Sequence, residues 1–286
     1  MGIKRYSFSE IEGKAKELSL LWQNISFPEL PSGYLAQSEF APLIATICDE
    51  QVNSKDAVNF PQWLNDKVKE FNLPNLLGVD YKIMLKEYFK DRWPRGMKEN
   101  KKQEYIEKIS KALRDALEFF QKEGKSPVTI FENREYKALE IYFMLRRIPG
   151  FGHKKANMIT RDFIYRSLGF SKSHSWFDQI KARAPEFKVI EGNLLDMPVD
   201  VHVIKVFNRI FGRKFPAKHK GKRNKWQDEL QEHLQDILAF SKLVFPELPV
   251  KLDQIFWTVG HKYCHQSVPN CRECPIARFC DSKTIK

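Results

Sequence analysis

The sequence lacks several features that would place the protein in a membrane or in an oxidising compartment. No apolar run reaches the roughly 18 residues that a membrane-spanning helix needs. Residues 1–12 are polar and contain no signal-peptide core. Runs of strictly alternating polar and apolar residues are also missing, whereas apolar residues recur at three- and four-residue spacing. We therefore expect an intracellular, all-α protein without a membrane partner.

This helical spacing predicts a chain of helices joined by short loops, which proline and glycine residues mark. The longest irregular region, between Gly169 and Pro198, has no assigned function. The predicted helices are Phe8–Gln23, Glu39–Val52, Ala57–Glu70, Ile83–Phe89, Lys101–Glu123, Tyr136–Ile148, Lys154–Leu168, Val201–Phe211, Lys225–Phe240 and Leu252–Gly260.

Cysteine is scarce, and its distribution is uneven. Of five cysteines, four lie within the last 23 residues. The remaining one, Cys48, lies in an apolar run, which is typical of a buried structural thiol. Disulfides are rare in reducing compartments. The clustered cysteines therefore predict a metal or cluster site.

Negative charge is in shorter supply than positive charge. Lys and Arg outnumber Asp and Glu by 48 to 36, which gives a net charge of +12 and a pI near 9.3. This excess favours a polyanionic partner. A basic stretch lies between Arg209 and Lys225, where Pro216 and Gly221 indicate a loop. Such a loop is either simply solvated or a set of phosphate contacts.

The clustered cysteines are Cys264, Cys271, Cys274 and Cys280, in the spacing C-x6-C-x2-C-x5-C. Four thiolates from one compact segment can ligate a [4Fe-4S] cluster. Tetrahedral zinc also accepts four thiolates, but zinc loops more often have two C-x2-C pairs separated by a longer spacer. The spacing therefore favours an iron-sulfur cluster, with zinc as the alternative.

A second motif lies within residues 145–156, where a Pro-Gly-apolar-Gly turn separates two helix patterns. Gly150 and Gly152 have no Cβ, so their backbone can turn tightly and bring its N–H groups close to a phosphate. The neighbouring His153 and Lys155 are further candidates for DNA contact. The segment resembles the helix-hairpin-helix motif. An ordinary turn between two helices is the alternative.

Downstream of the hairpin, residues 197–209 read Met-Pro-Val-Asp-Val-His-Val-Ile-Lys-Val-Phe-Asn-Arg. This segment resembles the Val-Asp-x-His-Val segment of the endonuclease III superfamily of DNA glycosylases, which also have the hairpin and the [4Fe-4S] loop. The resemblance implies that Asp200 is catalytic and stabilises positive charge on the deoxyribose as the glycosidic bond breaks. From its position alone, Asp200 also suits a helix N-cap.

Family members that also cut the DNA backbone carry a lysine two residues beyond the second hairpin glycine. The resemblance therefore makes Lys154 the candidate nucleophile, which would form a Schiff base and allow β-elimination. The alternative is a solvent-exposed lysine at a phosphate-binding helix start. The chain departs from the family in its connector, because 45 residues separate Lys154 from Asp200. Lys154 and Asp200 can still act at one site if the extra residues form an insertion.

The resemblance assigns roles to residues outside the hairpin as well. Gln51 corresponds to a glutamine at the end of the first barrel helix, which fills the gap left by a flipped base. A polar residue near a helix end is otherwise a cap or a surface group. In the family, the cluster fastens its loop so that basic residues meet DNA phosphate. The candidates here are Lys262, Arg272 and Arg278.

The family pattern implies two helical domains with the active site in the cleft between them. Residues 34–168 would form a helical barrel that contains the hairpin. Residues 1–33 and 197–286 would form the iron-sulfur cluster domain, and residues 169–196 an insertion of unknown role.

The function that the resemblance implies is base-excision repair. A monomeric glycosylase would flip a damaged base from double-stranded DNA, cleave its N-glycosidic bond and act as an AP lyase through a lysine Schiff base. Two alternatives stay open: a monofunctional glycosylase for mismatched or alkylated bases, and a DNA-binding module without chemistry. The sequence does not identify the lesion.

Overall fold

The computed structural model describes residues 6–24, 38–171, 175–213, 223–265 and 268–282. This part of the chain contains twelve α-helices and one pair of three-residue strands. The all-α fold class is confirmed. Each of the ten helices expected from the sequence is present with shifted ends, and two short helices and the strands were not expected.

The chain divides into two compact units. The central unit is Pro28–Ile190, and the terminal unit combines Met1–Phe27 with Glu191–Lys286. Among the residues that the structure describes, no helix is both long enough and apolar enough to cross a membrane.

The described residues of the central unit form eight α-helices and both strands. They are α2 (Ala41–Cys48), α3 (Ser54–Asn65), α4 (Leu73–Leu77), α5 (Tyr81–Phe89), α6 (Glu99–Glu123), β1 (Glu135–Lys137), α7 (Ala138–Arg146), α8 (His153–Ser167), α9 (Ser175–Arg183) and β2 (Lys188–Ile190).

Side-chain caps explain where several of these helices begin. Asn53 accepts a hydrogen bond from the N–H of Lys55 at the start of α3, and Asp80 accepts from two N–H groups of α5. Such caps satisfy backbone donors that the first turn leaves free. The long helix α6 instead begins at Glu99 without a side-chain cap and buries one apolar face. Its stability therefore comes from packing.

An aromatic cluster forms one part of the core of the central unit. Phe60 packs edge-on against Tyr88, with 5.1 Å between ring centroids, and Phe89 packs against Tyr105 at 5.5 Å. All four rings are buried. Edge-to-face pairs of this kind stabilise a core beyond the area that they bury. The cluster fixes α3 and α5 on α6.

The described residues of the long connector after α8 belong to the central unit as far as β2. Trp176 is fully buried, donates a hydrogen bond from Nε1 to the Pro127 carbonyl at 3.0 Å, and packs against Phe151 and Phe163. Phe187 is also fully buried. The expected insertion at residues 169–196 thus supplies large side chains to the core up to β2, and it supports the hairpin residue Phe151.

The strands β1 and β2 pair in parallel, with Tyr136 opposite Val189. Tyr136 was expected to begin a helix, and this expectation is wrong. Each strand has only three residues, which is too short for an alternating pattern to be recognised. In both strands the middle residue is buried and its neighbours are not.

The terminal unit contains α1 (Phe8–Leu21), α10 (Val201–Ile210), α11 (Arg223–Val244) and α12 (Lys251–Lys262). A capping box formed by Ser7 and Glu10 starts α1. Phe240 of α11 packs against Phe207 and Phe211, with ring centroids 5.8 and 5.1 Å away. These contacts place α10 in the core of the unit.

Candidate functional site

A tight turn at Gly150 joins α7 to α8. Gly150 has a φ of +85°, in the left-handed region that favours glycine. A Cβ atom on Gly150 would lie 3.1 Å from the Ala112 Cβ and 3.3 Å from the Ile47 Cγ1. Ile148 and Phe151 are buried on either side. Gly150 is therefore a requirement of the fold, whatever else it contacts.

Gly152 differs from Gly150, because the fold does not require it. Its φ is −73°, which any residue adopts, and its Cβ position has no atom within 4 Å. It is the N-cap of α8, and no side chain of the described residues caps that helix. The first N–H groups of α8 therefore have no side-chain cap and follow an open position without a side chain. This arrangement suits an anion.

Lys154 lies in the first turn of α8 and is exposed. No hydrogen bond or ion pair engages its amine within the described part of the chain. The preceding His153 is exposed too, and its ring nitrogens contact the Tyr142 hydroxyl at 2.9 Å and the Asn157 side-chain amide at 3.1 Å. These contacts fix the imidazole at the start of the helix.

Lys155 does not share the exposed position of its neighbour. Only 9% of the residue is exposed, and Nζ donates a hydrogen bond to the Ile47 carbonyl at 2.7 Å. A Glu50 carboxylate oxygen lies 3.8 Å from the same Nζ. Burial lowers the pKa of Lys155, and the negative charge of Glu50 opposes that shift. Lys155 thus faces the protein in this structure, whereas we expected a DNA contact.

Gln51 lies outside the helix that was expected to contain it. The sequence predicted a helix over Glu39–Val52, but α2 ends at Cys48. Gln51 follows in a bend, with an exposed side chain and a φ of +60°. A non-glycine residue is uncommon in this region of backbone space. Its role at a flipped base stays a prediction.

Asp200 is the N-cap of α10, as its position suggested. Oδ1 accepts hydrogen bonds from the N–H groups of His202 at 2.8 Å and Val203 at 2.9 Å. Oδ2 accepts none from the residues that the structure describes. These bonds fix the carboxylate through one oxygen and leave the other oxygen available to a ligand. Asp200 belongs to the terminal unit and Lys154 to the central unit.

The cysteine loop encloses a cavity. All four of Cys264, Cys271, Cys274 and Cys280 line about 340 Å³ of space, part of which is open to solvent. Burial raises the pKa of the Cys274 thiol to about 11, and negative charge on the other three sulfurs acts in the same direction. All four cysteines thus line the same space.

The donor set fits a [4Fe-4S] cluster, because four thiols from one loop surround a single cavity. No group of three or more Cys, His, Asp or Glu side chains within the described ranges is arranged to hold a metal ion. Thiolates that ligate a cube bind different irons and surround a volume, so they need not converge on one point. The identity of the group stays a prediction.

Arg209 joins the cysteine loop to α10. Its Nη1 donates to the Cys264 sulfur at 3.0 Å and to the His265 carbonyl at 2.8 Å. The Cys280 thiol in turn donates to the Arg209 carbonyl at 3.3 Å. Asp200 caps the start of the same helix, nine residues before Arg209, which corresponds to about 14 Å along the helix at 1.5 Å per residue.

The N-terminal helix also holds this loop. Lys14 donates to the Phe279 carbonyl at 2.6 Å and forms an ion pair with Asp281 at 2.9 Å. Of the basic candidates, Lys262 and Arg272 are exposed. Arg278 is exposed as well and forms an ion pair with Glu17 of α1. Residues 214–222, which contain most of the basic stretch, lie outside the described residues.

Two residues that organise these sites have contacts that the sequence does not predict. Lys155 was interpreted from its neighbours in the chain, but its contact is with Ile47, which is 108 positions away. Arg209 was assigned only to a basic stretch, whereas it contacts the first loop cysteine. No local pattern distinguishes either residue from an ordinary surface cation.

Comparisons with known proteins leave the family of this chain open. No protein-family model matches the sequence. No curated protein matches it either. Among solved structures, the chain is similar to a thermostable thymine-DNA glycosylase, with 12% identity and a TM-score of 0.47 over 96% of this chain and 96% of that chain. A likeness this distant does not establish the family to which the chain belongs.

Proposed function

We propose that this protein is a DNA glycosylase that removes a damaged base from duplex DNA, and that it is also an AP lyase. The observation that carries the proposal is the start of α8. Lys154 presents an exposed amine that no described residue engages, in the first turn of a helix without a side-chain cap and beside the open Gly152 position. An anion site and a free amine on one helical turn suit a nucleophile that acts on DNA.

The hairpin would position the DNA strand. A phosphate at the N-terminus of α8 accepts hydrogen bonds from backbone N–H groups and interacts favourably with the helix dipole. Contacts of this kind set register without reading sequence. The net charge of +12 adds a long-range attraction to the polyanion. A sugar next to the bound phosphate would then lie near the side chains of the first helical turn.

Lys154 would supply the nucleophile once the damaged nucleotide has been extruded. The neutral amine forms a bond to C1′ while the bond between C1′ and the base nitrogen breaks, and the base leaves with that electron pair and takes a proton. Opening of the sugar ring gives a Schiff base. Removal of a C2′ proton then expels the 3′ phosphate, and water hydrolyses the Schiff base to release Lys154.

Asp200 would act on the same sugar as an electrostatic group. Positive charge develops on the deoxyribose as the glycosidic bond breaks, and a fixed carboxylate stabilises it. The two hydrogen bonds to Oδ1 hold the carboxylate in place and leave Oδ2 free to face the sugar.

The thiolates of Cys264, Cys271, Cys274 and Cys280 would hold a [4Fe-4S] cluster, with zinc as the alternative. When bound, this group cross-links the loop and takes no part in breaking the glycosidic bond. Arg209 and Lys14 hold the loop from the protein side. Lys262 and Arg272 would reach DNA phosphate from there. Iron and sulfide analysis of purified protein distinguishes the two metals.

A panel of duplexes tests the proposal. Each duplex carries one oxidised, deaminated, alkylated or mismatched base, and base release and strand scission are scored separately. We expect base release on at least one lesion and loss of about a hundredfold or more in the rate for Asp200→Asn. The matched control is Asp115→Asn, a change of the same kind on α6 at a position outside the site.

The outcomes separate the proposed enzyme from its two alternatives. Base release without strand scission supports a monofunctional glycosylase and overturns the lyase assignment. Binding of duplex DNA without base release on any lesion supports a binding module and overturns the glycosylase assignment. An Asp200→Asn rate equal to that of Asp115→Asn overturns the role of the carboxylate.

A further inference from the structure

The turn that follows α2, residues 49–51, is held in an unfavourable backbone conformation. Gln51 adopts a φ of +60° although it carries a Cβ atom, and its side chain is exposed. Left-handed residues other than glycine persist only where the surrounding structure determines them. Contacts elsewhere in the central unit must therefore hold this turn, which we call the Gln51 turn.

Two side chains from distant helices donate hydrogen bonds to the last carbonyl groups of α2. Lys155 of α8 donates to the Ile47 carbonyl at 2.7 Å, and the Tyr105 hydroxyl of α6 donates to the Cys48 carbonyl at 2.8 Å. The final carbonyls of a helix need partners outside the helix. Because side chains satisfy them, the backbone can leave α2 directly at Cys48 and enter the Gln51 turn.

A carboxylate completes this support. Glu50, within the turn, has one oxygen 3.8 Å from the Lys155 amine and forms an ion pair with Lys108 through the other. Its N–H also donates to the Cys48 carbonyl at 2.7 Å. A mostly buried ammonium group needs partners of opposite polarity. Lys155 has two of them, and both belong to the segment that leads to Gln51.

We propose that Lys155 is a positioning residue, which together with Tyr105 and Glu50 holds Gln51 outward so that it enters the gap left by an extruded nucleotide. This inference rests on the proposed function. Adjacent lysines on α8 then divide the work between them: Lys154 faces the substrate, and Lys155 orders the Gln51 turn. Both lysines lie in the first turn of α8. The position of DNA bound at the hairpin is therefore fixed relative to Gln51, the residue that enters the helix stack.

A double-mutant cycle tests this relation without knowledge of the lesion. The ligand is a duplex with a tetrahydrofuran abasic-site analogue, compared with the undamaged duplex of the same sequence. Binding of the full chain is measured by fluorescence anisotropy at one fixed salt concentration, since affinity for DNA depends steeply on salt. The readout is the ratio of the two affinities, which a loss of general DNA binding does not change.

Gln51→Ala is expected to lower this ratio by about tenfold, as loss of one well-placed contact would. Lys155→Met should lower the ratio by a similar factor while affinity for undamaged duplex stays within about twofold. The double variant should be no worse than Gln51→Ala, because Lys155 acts through Gln51. Lys111→Met, which removes an exposed positive charge from α6, is the matched control and should leave the ratio unchanged.

Tyr105→Phe provides a milder perturbation of the same support. It removes the hydroxyl that donates to the Cys48 carbonyl and keeps the buried ring. The ratio should fall by a smaller factor than in Lys155→Met. When Tyr105→Phe is added to Gln51→Ala, the ratio should not fall further. This variant keeps the test decisive if Lys155→Met does not fold.

Four results would overturn the inference. The first is an unchanged ratio in Lys155→Met, or in Tyr105→Phe where Lys155→Met does not fold. The second is a further loss when Lys155→Met or Tyr105→Phe is added to Gln51→Ala, since this indicates independent roles. The third is an unchanged ratio in Gln51→Ala itself. The fourth is equal wild-type affinity for the two duplexes, which overturns the proposed function as well, whereas the first three leave that function intact.

Discussion

The paired glycines of the hairpin give a prediction that separates folding from DNA binding. Gly150 has a φ of +85° and a Cβ position 3.1 Å from the Ala112 Cβ. Gly150→Ala should destabilise the protein by about 1–2 kcal/mol through the left-handed backbone and by a further ~1–3 kcal/mol through overpacking. We expect a clear decrease in the urea midpoint.

Gly152→Ala should behave in the opposite way. The φ of −73° suits alanine, and the added methyl group meets no atom within 4 Å. The loss of a preferred N-cap residue and the stiffening of the unfolded chain oppose each other, so the net change should be within about 0.5 kcal/mol. A methyl group over the first N–H groups of α8 would hinder a phosphate. Loss of one charge-assisted hydrogen bond, worth about 1.5–3 kcal/mol, corresponds to roughly 10- to 100-fold weaker DNA binding.

The assay has two parts. Urea unfolding, monitored by tryptophan fluorescence, measures stability, and fluorescence anisotropy measures affinity for an undamaged duplex. Gly152→Ala should keep the wild-type midpoint and lose affinity, whereas Gly150→Ala should lose stability. Wild-type affinity in a fully folded Gly152→Ala protein would refute the assignment of this helix start as a phosphate site. A large loss of stability in Gly152→Ala would show that the position serves the fold.

Three further predictions concern other parts of the molecule. Trp176→Ala removes a fully buried ring and its hydrogen bond to the Pro127 carbonyl. It should lower the free energy of unfolding by about 3–5 kcal/mol in urea titrations. An unchanged free energy of unfolding would instead indicate a dispensable insertion. Arg209→Gln removes the donor to the Cys264 sulfur, so the proposed cluster should lose iron to a chelator about tenfold faster or more. An unchanged rate would contradict a role for Arg209 in holding the loop. Burial lowers the pKa of Lys155, so the folded state disfavours the charged amine. The free energy of unfolding of the wild type should therefore rise relative to that of Lys155→Met as the pH increases towards 10.5. The same pH dependence in both proteins would contradict this.

The helices could be predicted because their signal is local. Apolar spacing identified α10, and the position of Asp200 before an apolar helix predicted its N-cap, which the structure confirms. The start of α8 followed from the hairpin motif in the same way. In each case the residues that decide the structure lie within one or two turns of each other.

The end of α2 could not be predicted in this manner. The apolar pattern continues to Val52, but the helix stops at Cys48 because Lys155 and Tyr105 supply partners for its last carbonyl groups. Those residues are 108 and 57 positions from their acceptors. The inward orientation of Lys155 depends on the same contact. Tertiary contacts of this kind leave no periodic signal in the sequence.

The structure of the connector between α8 and α10 could not be predicted for a related reason. Trp176 and Phe187 are core residues, but they lie in a short helix and next to a three-residue strand, where no period repeats. Their partners, Phe163 on α8 among them, come from other elements. The length of the connector marked it as unusual without showing that it completes the central unit.

The central claim is that Lys154 forms a covalent bond to the sugar at a damaged site. The most direct measurement is borohydride trapping on a duplex with an abasic site, followed by proteolysis and mass spectrometry of the adduct. We predict one adduct on the peptide that contains Lys154, absent in Lys154→Ala and present in Lys111→Ala. Absence of any adduct with the folded wild-type protein, or an adduct that persists in Lys154→Ala, would contradict the account.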